Sequence, residues 1–192
     1  MRFDARDTAS GAQPTREEVH FRRIDMRGYR RSDGLFEVEG RVQDTKPYDV
    51  VPIGGSKAVR AGEPFHDMGI RIVYDDQLRI HDVETFTDAA PYGECPAGGL
   101  ALQSLKGVSM TSGWNKTVRH LLGSGRSCTH LKELLGPMAT TAFQALSVLG
   151  PRADRLDATG RPLKIDSCYA YRAEGDIVRD RWPAFFRPVP EE

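Results

Sequence analysis

The chain has no apolar run approaching the ~20 residues that span a bilayer, and its opening stretch, MRFDARDTASGAQPTREE, has no apolar signal core. Both absences lead us to expect a cytoplasmic protein with no membrane partner. Net charge is absent as well, with 27 Lys+Arg facing 27 Asp+Glu across 192 residues. That balance argues against a broad nucleic-acid footprint or a polybasic membrane patch. No phosphate-binding loop or dinucleotide fingerprint occurs, so no nucleotide cofactor is expected. Cysteine is scarce, with three residues in the chain. An odd number of thiols in a reducing compartment points to metal ligation, nucleophilic chemistry or core packing ahead of disulfides.

What is present is a change of period along the chain. Residues 1–17 mix Asp, Arg, Ser, Gly and Pro without pattern and read as a flexible arm. From 18 to 187 a single domain is expected, with 188–192 a short tail. VHFRRIDMRGYRR and LFEVEGRVQDTK read as two strands around a turn at Asp33-Gly34. MGIRIVY and LRIHDVETF form a second hairpin, with Asp75-Asp76-Gln77 as its turn. After Pro91 the spacing becomes helical. One helix is expected from Pro96, with Leu100, Leu102 and Leu105 apolar; a second covers GWNKTVRHLLG; a third begins near Ser127 to Thr129. Pro137 should kink that third helix or restart it after Gly136. LKIDSCYAYRAEGDIVRDRWPAFF reads as a last hairpin turning at Glu174-Gly175. Strands followed by helices define an α+β domain, an antiparallel sheet in the N-terminal half packed by about three helices from the C-terminal half.

Chemistry concentrates around two of the thiols. Pro96 forces Cys95 out of the helical region, so Cys95 is expected at the cap of the helix that Pro96 opens. Unpaired N–H groups and the positive end of the helix dipole would face its sulfur, a setting suited to a ligand or nucleophile. Gly98 and Gly99 leave the first turn bare, so a ligand or another chain segment can approach. Cys128 is expected in the same setting at the head of the third helix, with Arg126 nearby. His66 and Asp67 enter a strand from a Gly/Pro-rich loop, and alternation lets only one of them face the helices. Met68, Ile70 and Ile72 share the parity of His66, which favours His66 as the inward residue. Asp67, Cys95 and Cys128, with His130, have the chemistry of a zinc or iron(II) site. The bland alternatives are a core thiol at each cysteine, a histidine that only caps the strand, and a solvated sheet face for Arg22, Arg23, Arg27, Arg30 and Arg31, against which stands a phosphate or carboxylate clamp.

RRIDMRGYRRSDGLFEVEGRVQDTKPY, AGEPFHDMGIRIVYDD, TDAAPYGECP, SCTHLKELLGPMATTAFQ and IDSCYAYRAEGDIVRDRWPAFF resemble the bacterial family catalogued as domain of unknown function 2889. The resemblance covers about residues 18–187. It implies a soluble bacterial protein and assigns no activity. A remoter similarity, to the U-type iron–sulfur scaffold proteins and their zinc-binding relatives, would give the matching ligand places to Asp67, Cys95 and Cys128. Phe65 stands where those proteins carry a further cysteine.

Two functions are therefore expected to compete. The first is a small-molecule enzyme, a lyase or isomerase acting on a small organic metabolite, aromatic ones included. His66 or His130 would be its general base, and Tyr92 or a bound metal would stabilise the developing oxyanion. That reading predicts an enclosed pocket walled by Phe65, Phe86, Tyr92 and Trp114. The alternative is a metal or sulfur carrier that uses the same thiols at a shallow exposed site. A homodimer is left open by either.

Overall fold

The computed structural model describes residues 14–54, 58–149, 154 and 156–189. The first thirteen residues of the expected arm, and positions 190–192 of the expected tail, lie outside the described residues. The chain divides into two compact units, Met1–Leu146 and Ser147–Glu192.

The first unit is a four-stranded antiparallel meander: β1 (Phe21–Arg30), β2 (Phe36–Thr45), β3 (Pro64–Tyr74) and β4 (Ile80–Ala89), paired in chain order. Period-two alternation puts Phe36, Val38 and Val42 of β2 and Met68, Ile70, Ile72 and Tyr74 of β3 on one buried face. On β4 the buried positions are Ile80 and Val83, which differ in parity. A register irregularity between Val73 and Tyr74 absorbs the difference. Gly34, at φ 87°, closes the first hairpin. In the second, the Asp75 carboxylate accepts from the amides of Gln77 and Arg79 at 2.9 and 3.0 Å.

Helices cover the buried face. α1 (Trp114–Leu122) buries Trp114, Val118 and Leu122, and α2 (Thr129–Ala145) buries Leu131, Leu134, Leu135, Met138 and Ala142. Those spacings are the apolar stripes expected of amphipathic helices. α2 comes close to the sheet because β2 carries Gly40 there; a Cβ at that position would lie 2.9 Å from the Met138 sulfur. Pro137 does not divide α2. It sits on the exposed side of a continuous helix, where the missing N–H leaves the carbonyl of residue 133 facing outward. The helix expected from Pro96 is a 3-10 helix over Cys95–Leu105. Its buried residues Gly99, Leu102 and Leu105 recur every three positions, the repeat of that tighter helix, while Leu100 is exposed.

The second unit corrects the expected C-terminal hairpin. Residues 165–187 form turns, short 3-10 segments and α3 (Asp176–Arg181), with Gly175 before the helix rather than in a strand turn. Only Ile165, Ala173 and Val178 are buried in its cluster, flanked by Trp182, Phe185 and Phe186. Their spacing does not alternate at period two, so a strand would leave apolar groups on both faces. Asp176 at the start of α3, with Arg179 and Arg181 at its end, suits the helix dipole.

Candidate functional site

At one end of the sheet, Asp44 near the end of β2 and His66 near the start of β3 are direct cross-strand partners. Asp44 has the inward parity of Val38 and Val42, and His66 that of Met68 and Ile70. Both therefore face the helices, buried to 1% and 8% exposure. Asp44 collects donors on both oxygens. Arg22 of β1 donates from Nε at 2.7 Å to one oxygen and from Nη2 at 2.8 Å to the other. His66 Nδ1 lies 2.9 Å from the second oxygen, and His20 Nε2 lies 3.3 Å from the first. Arg22 also reaches Glu133 of α2 at 2.9 Å, tying the edge strand to the helix.

Burial on its own would raise the Asp44 carboxyl. Arg22 and His66 outweigh it and hold the group at about 2. For His66 burial acts the other way. Burial first, and the nearby His130 second, push the imidazole below its ordinary value, against the pull of Asp44. With Nδ1–H donated to a carboxylate, the tautomer that satisfies the hydrogen bond leaves the Nε2 lone pair free.

The His130 ring, in the first turn of α2, lies on that of His66 at 3.8 Å between centroids and 36° between planes. Phe65 meets His66 edge-on at 4.9 Å. The Cys128 sulfur is 4.0 Å from His130 Nδ1 and 3.6 Å from the Met68 sulfur. Cys128 and His130 can approach because Cys128 is the extended residue preceding the helix (ψ 128°), outside the helical repeat that turns positions two apart to opposite sides.

Of the residues singled out in the sequence, the structure brings together His66, His130 and Cys128. Asp67 is elsewhere: it lies on the opposite face of β3, where Arg41 donates to it twice at 2.6 and 2.7 Å and Gln43 once at 2.9 Å. It therefore does not join Cys128 as a ligand. Cys95 occupies the first turn of the 3-10 helix, half-buried, with Glu94 rather than Cys95 as the residue before it. The bare turn is filled by chain: Gly98 accepts the Cys128 amide at 3.2 Å, and a Cβ on Gly98 would lie 2.8 Å from that nitrogen. Tyr92 is 43% exposed in the preceding turn. The expected aromatic enclosure does not form either. Trp114 is a core residue that donates to the Leu135 carbonyl, and Phe86 lies on the open face of the sheet.

Sequence reading missed Asp44, and it put Arg22 on a solvated sheet face where the structure has it clamping that carboxylate. The available signal was a carboxylate at a core-parity position of β2, which needs a cationic or donor partner once buried.

Asp44, His66 and His130 each offer a donor atom within 4.8 Å of the others. As a chelate the set does not fit zinc or iron(II). All the acceptor directions of Asp44 are filled, two of them by a guanidinium. Two imidazoles sharing one ion, each at ~2.0–2.1 Å, would hold their ring centres about 5 Å apart, whereas these two lie 3.8 Å apart and tilted by 36°.

The open face of the sheet carries a groove of about 740 Å³. Its residues run across the strands with alternating charge, Arg27, Glu39, Arg71 and Glu84 in one row. Arg71 and Glu84 pair directly, and Arg41 lies 5.4 Å over the Phe86 ring.

An antiparallel sheet with helices on one face defines an α+β domain, and a buried carboxylate–imidazole cluster lies at the end of that sheet. The family model described as protein of unknown function (DUF2889) matches residues 20–144, and the chain belongs to that family. No curated protein and no solved structure matches the chain. No helix among the described residues is long and apolar enough to cross a membrane.

Proposed function

We propose that the protein is a small-molecule enzyme, a lyase or isomerase, with His66 as its general base. One observation carries this reading: His66 is buried, held neutral by that burial, and oriented through Nδ1 by Asp44 at 2.9 Å. A neutral imidazole fixed in that tautomer takes a proton at Nε2 from a carbon acidified by a neighbouring carbonyl. The imidazolium so formed is stabilised by Asp44, which stays ionised through the cycle because Arg22 holds it. His130, its ring centre 3.8 Å from that of His66, returns the proton to a different atom or to the leaving group in this reading.

The test is deuterium incorporation from D2O, or elimination, across a panel of small carbonyl compounds with acidic C–H bonds. A His66→Gln variant should turn over the accepted compounds at least about 100-fold more slowly, the lower range for a positioned base. Equal rates in wild type and His66→Gln would sink the assignment. A second reading, a sulfur or metal carrier, draws on the half-buried Cys128 thiol and on the lack of an aromatic enclosure. Stoichiometric metal or persulfide in freshly purified protein, lost in Cys128→Ser, would favour it.

A further inference from the structure

Two sulfurs and an imidazole nitrogen converge beside the Asp44–His66 pair. The Cys128 sulfur lies 3.6 Å from the Met68 sulfur and 4.0 Å from His130 Nδ1. Three separate positions supply them: Met68 in the core of β3, Cys128 just before α2, and His130 in its first turn. An ion held by three donors in one plane, each at about 2.2 Å, keeps those donors about 3.8 Å apart. Both separations from the Cys128 sulfur fall within about 0.2 Å of that spacing. Access is one-sided. Met68 is fully buried, whereas Cys128 and His130 are half-buried, so the thioether forms the floor and the other two donors the mouth.

We infer that Met68, Cys128 and His130 form a binding site for copper(I). The donor set selects the ion, because a thiolate beside a thioether is soft and suits copper(I). Charge selects it too. One thiolate neutralises one positive charge, and the oxygens of Asp44 are already taken by Arg22, His66 and His20. A divalent ion on these three donors would keep a positive charge in a half-buried place. Binding displaces the Cys128 thiol proton, so each ion taken up releases one proton. The site shares His130 with the proposed activity but does not use His66, and it gives the carrier reading a particular ion.

The probe is copper(I) added without oxygen to the full chain, in competition with a coloured copper(I) chelator, with zinc titrated in parallel. One tight equivalent should bind, and it should survive Cys95→Ser, Cys168→Ser and His66→Gln. Cys128→Ser should weaken it by about 100-fold, and Met68→Leu and His130→Gln by at least about tenfold each, the loss common even for residues outside the ligand set. Met68→Leu nearly conserves volume, so the core stays filled. Copper-edge X-ray absorption reads the same point with no substitution: two sulfur neighbours and one nitrogen at about 2.0–2.3 Å. A single sulfur neighbour, full affinity in Met68→Leu, or zinc held as tightly as copper(I) would each overturn the inference. Loss of the tight equivalent in Cys95→Ser or Cys168→Ser would overturn it as well, by placing the ion elsewhere. Failure of copper(I) to bind while turnover still needs His66 sinks this site and leaves the general base standing. Copper(I) bound as expected with no His66-dependent turnover gives the reverse.

Discussion

Replacing Asp44 by Asn tests the centre of the cluster. The substitution keeps volume but removes the charge that Arg22, His20 and His66 converge on. A carboxyl held at about 2, against an ordinary 3.8, favours the folded state by about 2 kcal/mol at neutral pH. Removing one partner of a buried pair commonly costs about 3–5 kcal/mol. Arg22 retains 32% side-chain exposure, so water can rehydrate part of its charge and the lower end applies. We expect Asp44→Asn to lose about 2–3 kcal/mol in urea unfolding at pH 7. The sign of the pH dependence is also set. A depressed carboxyl contributes stability that is complete above 3.8 and is lost as pH falls toward about 2. His66, with its value lowered, binds its proton more readily when unfolded, so stability also declines below 6.5. Wild type should therefore weaken first below 6.5 and again between about 4 and 2, and in Asp44→Asn the second decline should be shallower by about 2 kcal/mol, the part left being that of other depressed carboxyls such as Asp67. Unfolding curves of variant and wild type that run parallel through that acid window, or a loss under about 0.5 kcal/mol at pH 7, would refute the reasoning.

Three further outcomes follow from the packing. A Cβ on Gly69 would meet the Phe86 ring at 2.4 Å and the Gly40 carbonyl at 2.5 Å, so Gly69→Ala should destabilise by about 1–3 kcal/mol. Phe86→Ala should relieve only part of that loss, because the backbone contact remains; full rescue in thermal melts would contradict it. Leu134→Ala, emptying a fully buried position of α2, should cost about 2–5 kcal/mol in chemical denaturation. Trp114→Phe removes the 2.9 Å bond to the Leu135 carbonyl and should cost about 1 kcal/mol, while an unchanged urea midpoint would show that water replaces the donor.

Sequence by itself determined the elements of the first unit and their inward faces. Alternation along β2 and β3 and the apolar stripes of α1 and α2 are local patterns, readable within one element. They suffice to turn His66 toward the helices and to place Cys128 and His130 at the head of α2. The tertiary structure decided the partners. Asp44 and His66 are 22 residues apart, and Arg22 and Glu133 are 111 apart, so their contacts depend on strand register and on where α2 lies. Asp67, adjacent in sequence to His66, went to Arg41 on the other face for the same reason: one residue along a strand reverses the side. The second unit was misread because its few apolar residues carry no clear period, and there local turns and one short helix satisfy the backbone instead of a sheet.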